Sequence, residues 1–471
     1  MAAGDVGMSL VGPPAATGRA GETEGVGEPS AVVSGNPAAD IEPLDVGQSS
    51  RPPKLTHYLF RYPAKFHPPV ISALIERYSK PGDLVFDPFV GSGTALVEAI
   101  MSGRRSLGMD IDPVAVEVSR AKTRRYDLAR LESAAERLSR RLKVREREEA
   151  EYGRLMFADI SEVELEETLA LEALWVPAIP RLGHWFRRYV VVDLARIHQA
   201  ITMTRCDART RLLLRVVFAS IIRNASNADP VPVSGLEYTS HMKRRDKDGR
   251  LINPFALFRV ALQKALVSVA DLAEHWSDLV AEPSVYQGSA TDFARRFEGS
   301  VDLVLTSPPY HNAVDYYRRH QLELFWLGLA PSQEVREKLI PSYIGRPNVA
   351  MKDPLLQLPW NPPALAGQWE ERMRASAPRR ARDFRHYTQA MHQCFSQLAQ
   401  VTRPGVKALF VVGHSSWNGQ EIPTATLFQE LADDFELDEI LSYPVKNRYM
   451  SYARRNNASI DREYVLAFRR T

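Results

Sequence analysis

Two short stretches carry residue types that could do chemistry together. The first is Phe86-Asp87-Pro88-Phe89-Val90-Gly91-Ser92-Gly93-Thr94. Gly91 and Gly93 allow a tight turn and let a ligand approach the backbone with no Cβ in the way. A helix predicted to start there would offer its free N–H groups to an anionic group such as a carboxylate. Asp87 could face a cationic group on the same ligand, and Asp110, 23 residues further on, has the spacing of an acid that receives ribose hydroxyls. The turn lacks the Gly-Lys-Ser/Thr ending of a phosphate loop and the third glycine of a dinucleotide fingerprint, which points to a smaller nucleoside ligand. The second stretch is Thr306-Ser307-Pro308-Pro309-Tyr310. Its prolines remove two backbone donors after an apolar run, so carbonyls at that strand end can accept from an amine. Ser307 adds an oxygen, and Tyr310 a ring on which a planar base can stack.

Both stretches need elements that hold them. Val70–Tyr78 reads as a helix, Leu84–Phe86 as a buried strand, Ala95–Met101 as a helix, Ser106–Ile111 as a strand and Val114–Tyr126 as a helix. This alternation predicts an α/β fold, a doubly wound, Rossmann-like parallel sheet. Strands return at Val285–Gln287 and Asp302–Thr306. A helix at Tyr387–Val401, a Pro404-Gly405 turn and a strand at Ala408–Val412 follow, with an antiparallel pair at Leu437–Tyr443 and Tyr464–Phe468 near the sheet edge. Residues 127–283 read as an inserted, largely helical region, with helices at Leu128–Glu151, Leu194–Ala225 and Pro254–Trp276 and a polar, basic loop at Ser240–Arg250. The catalytic core is therefore expected over 51–126 and 284–471, with an irregular, basic and Pro-rich segment at 340–385.

Composition narrows the class. The 471 residues are 45% hydrophobic and 25% charged, as in ordinary globular proteins, and no apolar run is long enough for a transmembrane helix. Cys206 and Cys394 cannot form a disulfide framework or a Cys-rich zinc site, and no metal is expected. A reducing cytoplasm is the expected compartment. The net charge is +3, with −6 in residues 1–50 and +9 in the remainder. Residues 1–50 hold no aromatic side chain and are expected to be a disordered acidic tail. The basic excess of the body is compatible with nucleic acid.

The two motifs together resemble the S-adenosylmethionine-dependent DNA amino-methyltransferases. The resemblance extends to Arg61–Pro68, to Asn312, Asp315-Tyr316 and His320–Gly328, and to Thr402–Gly413 and Tyr464–Arg469. It implies a Rossmann-like class I methyltransferase sheet. Asp87, Phe89, Gly91 and Gly93 would surround the methionine part of the cofactor, with Lys65 and Phe66 nearby. Asp110 would bind the ribose. The segment Gly288–Asp292 would meet the adenine, with Asp292 standing in for an acid often found where this chain has Ser289. Ser307, Pro308, Pro309 and Tyr310 would form the target-base site. Ser at the head of that tetrapeptide is associated with cytosine-N4 methylation, whereas Asp or Asn is more usual for adenine-N6. Neither cysteine follows a proline in a catalytic-looking turn, which sets cytosine-C5 chemistry aside.

The expected substrate is double-stranded DNA with its target nucleotide turned out of the stack. Adenine-N6 methylation is the runner-up and RNA a weaker third. A catalytically silent DNA-binding or cofactor-sensing protein is the alternative of another class. Recognition would fall to 127–283, through Lys243, Arg244 and Arg245, and to 340–385, through Arg379 and Arg380. Asn447-Arg448 and Arg454-Arg455 are further candidates. No nuclease carboxylate cluster is evident, so any restriction endonuclease would be a separate partner. No membrane partner is expected.

Overall fold

The structure is a computed structural model describing residues 41–44, 54–62, 65–230, 236–297, 299–311, 316–413, 415–444 and 462–471. Most of the predicted acidic tail, Pro63, Ala64, Asn312, Asp315, Asn447, Arg448, Arg454 and Arg455 lie outside the described residues.

Among the described residues, eight strands form one mixed sheet: β1 (Ile41–Pro43), β2 (Leu84–Asp87), β3 (Arg105–Asp110), β4 (Ser284–Gln287), β5 (Val301–Thr306), β6 (Thr402–Val412), β7 (Phe435–Pro444) and β8 (Arg462–Arg470). Their order across the sheet is β1-β7-β8-β6-β5-β2-β3-β4. From β4 to β6 the pairings are parallel, while β8 runs antiparallel to both β6 and β7. Chain order runs one way from β2 to β4 and the other way from β5 to β6. The carboxyl ends of β2 and β5 therefore flank the point where the winding reverses, the place at which open α/β sheets bind ligands.

The apolar runs of the central strands follow from cover on both faces. Val85, Leu303, Leu305, Leu409 and Val411 pack on one side against α1 (Pro68–Tyr78) and α2 (Thr94–Met101). Phe86, Val304, Phe410 and Val412 alternate to the other side, against the long helix Pro378–Val401. α3 (Pro113–Lys122) follows β3, capped by the Asp112 carboxylate, which accepts from Val114 N–H at 2.9 Å.

Residues 127–283 fold mainly as helices: α4 (Leu128–Lys143), α5 (Arg188–Met203), α6 (Ala208–Ala225), α7 (Ser240–Lys247) and α8 (Pro254–His275), with shorter ones between α4 and α5. They share one apolar cluster with Val114, Val118 and Ala121 of α3 and with Leu322–Trp326 of α9 (Gln321–Trp326). The long helix Pro378–Val401 is α10.

Four expectations need correction. Ile41–Pro43, assigned to the disordered tail, pair in parallel with Ile440–Ser442, and Leu44 is buried. An edge strand this short is fixed by its partner and leaves no periodic signal. Ser240–Lys247, read as loop, is a helix capped by Thr239, whose hydroxyl accepts from Met242 N–H. Leu128–Glu151 and Leu194–Ala225 each divide into two helices. The Pro404-Gly405 turn lies within β6, as an irregularity in its pairing with β5.

Candidate active site

β2 ends in Asp87, whose side chain is 1% exposed. Its Oδ1 accepts from Phe89 N–H at 3.0 Å and from the Thr306 hydroxyl at 2.6 Å. Thr306 is the last residue of β5 and immediately precedes Ser307. One carboxylate oxygen thus ties the start of the glycine turn to the start of the proline turn, residues 219 apart in sequence. The other oxygen, Oδ2, is buried without a partner. Burial pushes this carboxyl up to about 7, against the pull of the Thr306 and Phe89 hydrogen bonds.

The glycine turn is fixed largely through backbone groups. Gly91 N–H donates to Asp110 Oδ2, and Asp112 N–H to Asp110 Oδ1, both at 2.9 Å. Burial, followed by the neighbouring Asp112 carboxylate, raises Asp110 to about 7. Gly93 sits at φ +75°, at the N-cap of α2, where a Cβ would come within 2.9 Å of Ser119 Cβ and 3.2 Å of Ser119 Cα. The buried Lys122 Nζ donates to the Ser92 carbonyl at 2.5 Å, and burial holds its pKa well below the ordinary lysine value. Behind the turn, His57 Nε2 meets Glu98 Oε1 at 2.6 Å, and burial drives that imidazole down to about 2 and the carboxyl up to about 7.

An open cleft of about 780 Å³ lies over these strand ends. Of the residues expected at the cofactor, Lys65, Phe66, Phe89, Gly91 and Asp110 line it; of those expected at the base, Ser307 and Pro309 do. Lys65 donates to the His57 carbonyl at 2.9 Å, lies over the Tyr58 ring, and is lowered by burial to about 8. Ser307 makes no side-chain hydrogen bond among the described residues, which leaves its hydroxyl available to a ligand.

Other expected residues stand back from the wall. Asp87 and Gly93 shape the cleft from behind without lining it, and Pro308 is buried. Tyr310 packs half-buried on the apolar cluster under α10. The Asp292 side chain is exposed and does not line the cleft, while Gly288, Ser289 and Ala290 do. Its N–H donates to the Ser289 carbonyl, closing a turn that directs the side chain outward. Lys243, Arg244 and Arg245 are exposed on α7, which is anchored through Asp246 to Tyr238, Arg187 and Arg250. Arg379 and Arg380 are exposed at the start of α10, Arg380 lying 3.9 Å from Asp383.

The cleft also holds Tyr62, Ser342, Tyr343 and Ile344, which sequence reasoning did not assign to it. Gly345, at φ +76°, lets the 342–344 segment approach; a Cβ there would lie 2.9 Å from the Tyr310 carbonyl oxygen. A glycine between Ile344 and Arg346-Pro347 was the available signal. The Tyr343 ring is 5% exposed, and its hydroxyl is buried with no partner. Burial, then the Asp112 and Asp110 carboxylates, raises its pKa far above the ordinary phenol value.

These features fit S-adenosylmethionine. The glycine turn admits close backbone approach, an acid lines the wall at the end of β3, and an unpaired buried hydroxyl awaits a polar partner.

Comparison with known proteins agrees. The DNA methylase family of N6/N4 type matches residues 39–121. The type II methyltransferase M.MvaI of Kocuria varians is 23% identical over 83% of this chain and 84% of its own length. M.BsoBI of Geobacillus stearothermophilus is 22% identical over 83% of this chain and 80% of its own. M.MjaII of Methanocaldococcus jannaschii is 36% identical over a shorter stretch, 17% of this chain and 15% of that protein. Among the described residues no helix is long and apolar enough to cross a membrane. The chain is similar to N6/N4-type DNA methylases over residues 39–121 and to type II methyltransferases over most of its length.

Proposed function

We propose that this chain methylates the N4 amine of cytosine in double-stranded DNA, with Ser307, Pro308, Pro309 and Tyr310 as the target-base site. The observation that carries the reading is the 2.6 Å hydrogen bond from Thr306 to Asp87, which sets the proline turn and the glycine turn on one cleft. Ser307 at the head of the tetrapeptide, where adenine enzymes more usually have Asp or Asn, favours cytosine.

Lys65, Phe66, Phe89, Gly91 and Asp110 would hold S-adenosylmethionine, with Tyr343 and Ser289 completing the wall. When bound, the cofactor supplies a methyl group activated by a positively charged sulfur. The protein's own work is positioning, which can supply much of the rate enhancement. Ser307 Oγ and the Pro308 carbonyl accept from the exocyclic amine and turn its lone pair out of conjugation. The Tyr310 ring, half-buried behind the wall, would have to turn toward the cleft to stack on the base, a contact worth about 1–3 kcal/mol that offsets part of the cost of unstacking. The exposed cations Lys243, Arg244, Arg245, Arg379 and Arg380 would contact DNA phosphates or base edges. A restriction endonuclease cutting the unmodified site would be a separate chain.

Incubation with methyl-labelled S-adenosylmethionine and unmodified genomic DNA, followed by nucleoside analysis, tests this. Label in N4-methylcytosine is expected. Label in N6-methyladenine transfers the same geometry to the other base. Cofactor binding without label in DNA would overturn the enzyme reading.

A further inference from the structure

Beyond Ser342–Ile344, the chain runs on into a turn that is fixed more firmly than a surface turn requires. Asn348, at φ +59°, bends the backbone. The Asp383 carboxylate of α10 accepts from Asn348 N–H at 3.1 Å and from Val349 N–H at 2.9 Å, and Arg382 Nε donates to the Val349 carbonyl at 2.6 Å. Four residues on, Asp353 pairs with Arg346 at 2.5 Å and lies 3.5 Å from His386 Nε2. Its N–H donates to the Ala350 carbonyl at 3.1 Å, closing the turn. Arg346, Asp353, Asp383 and His386 are all buried. Between these two feet stand Ala350, Met351 and Lys352, all exposed, Met351 to 75%.

Single exposed apolar side chains are common on protein surfaces, and Val144, Leu171 and Leu279 are examples in this chain. Met351 differs in its fixing and in its place. A buried ion pair is costly to desolvate, and here it holds no core together but sets the position of a turn. That position is the rim of the cleft. His311, which follows Tyr310, packs edge-on against Phe384 of α10 with ring centroids 5.2 Å apart, and Phe384 adjoins Asp383. Gly345 meets the Tyr310 carbonyl from the other side. Two residues span at most about 7 Å, so Met351 stays close to its foot at Val349. Arg379 and Arg380 are exposed on the first turn of α10, and Lys352 adjoins Met351, so cations flank the turn where a phosphate backbone would run.

A duplex with one nucleotide turned out has a gap in its stack, lined by the faces of the neighbouring bases. Methionine is unbranched and polarisable, suits contact with aromatic faces, and is among the apolar side chains that wedge base steps apart. We propose that Met351 enters the duplex when the target nucleotide is turned out, fills its place in the stack and delays its return, with Lys352, Arg379 and Arg380 on the flanking phosphates. The inference rests on the methylation of double-stranded DNA proposed above.

The test uses the full-length protein. Wild type first labels unmodified genomic DNA, and the product gives the target site. Transfer is then measured on a short duplex carrying that site, with the target base either paired or opposite an abasic position, where its return forms no pair. Met351→Ala should lower kcat about tenfold or more on the paired duplex and less than about threefold on the other. Met351→Leu, which keeps an apolar bulk, should restore most of the rate. Both substitutions fall at an exposed position, so S-adenosylhomocysteine affinity and the denaturation midpoint should not move. Lys352→Ala should instead raise the KM for both duplexes alike and flatten its dependence on salt. Wild-type kcat for Met351→Ala on the paired duplex would overturn the wedge, and so would an equal loss on both duplexes, which marks an ordinary contact. Absence of label from the wild type in any DNA would overturn the methyltransferase reading itself, and the wedge with it.

Discussion

The two walls of the cleft are built differently. The glycine wall is held by hydrogen bonds: Asp110 receives Gly91 and Asp112, Lys122 holds the Ser92 carbonyl, and Asp87 holds Phe89. The proline wall is held by packing: Pro308 is buried, Tyr310 rests on an apolar cluster, and Gly345 allows the 342–344 segment to close against it. A cofactor with fixed polar groups is served by a wall whose dipoles are already aimed. A base arriving from DNA is served by a wall that leaves its acceptors uncommitted, as Ser307 does. Asp87 is the joint between them.

The joint should be the most sensitive point. Asp87→Ala leaves the Thr306 hydroxyl and Phe89 N–H without their acceptor, at about 1–3 kcal/mol each. It also frees the two turns to shift, and a displacement near 1 Å can cost about 100-fold in rate. Methyl transfer should fall by about 100-fold or more and the denaturation midpoint should drop; intact turnover would show that the walls do not depend on one another. Ser307→Ala touches only the proline wall. It should cost about 10–100-fold in kcat, the worth of about 1–3 kcal/mol of hydrogen bonding. Cofactor affinity and stability should not move, and a raised cofactor Kd would blur the division between the walls.

Within the glycine wall, the two glycines should separate. Gly93→Ala meets the Cα and Cβ of Ser119, which cannot move without α3, and holds φ +75°. The strain is about 1–3 kcal/mol. A Cβ at Gly91 would instead meet the Tyr62 ring at 3.1 Å, a side chain that can yield. Urea unfolding should rank Gly93→Ala as the more destabilising, and S-adenosylhomocysteine binding should follow the same order.

What the sequence made legible follows the same division. Phe86–Thr94 and Thr306–Tyr310 are local patterns, in which glycine and proline act through their own backbone and apolar runs mark the strands before them. Thr306 as the partner of Asp87, and the closure of Ser342–Ile344 over the cleft, depend on contacts between distant segments, which leave no local period. Helix α7 was missed because Met242 alone among its residues is buried, so it has no apolar stripe to read.

The carboxyls give a pH signature for the unliganded protein. Asp87 and Asp110 are both raised to about 7, from near 4 in the unfolded chain. Between those values the unfolded state has lost protons that the folded state keeps, so stability falls as pH rises from about 4 to about 7. The slope is up to about 1.4 kcal/mol per pH unit for each group. Asp87→Asn keeps the Oδ1 acceptor and cannot ionise, so urea unfolding across this range should show a shallower decline. An unchanged slope would remove Asp87 as a contributor.

The smallest effect is expected at Tyr343, where the two walls come nearest in kind. It reaches the cleft on the packed 342–344 segment, yet it carries a polar atom, a buried hydroxyl near Asp110 that lacks a partner. Tyr343→Phe keeps the ring and its packing and removes that one oxygen. If the hydroxyl meets a polar group of the cofactor, the variant loses a single neutral hydrogen bond, about 0.5–1.5 kcal/mol, or roughly 2–12-fold in cofactor Kd. Without ligand, deleting an unsatisfied buried hydroxyl should leave the protein equally stable or slightly more so. Weaker binding together with undiminished stability is a pairing that packing alone does not produce, because a ring needed only for closure loses nothing when its hydroxyl goes. Equal cofactor affinity in both proteins would return Tyr343 to the packed wall.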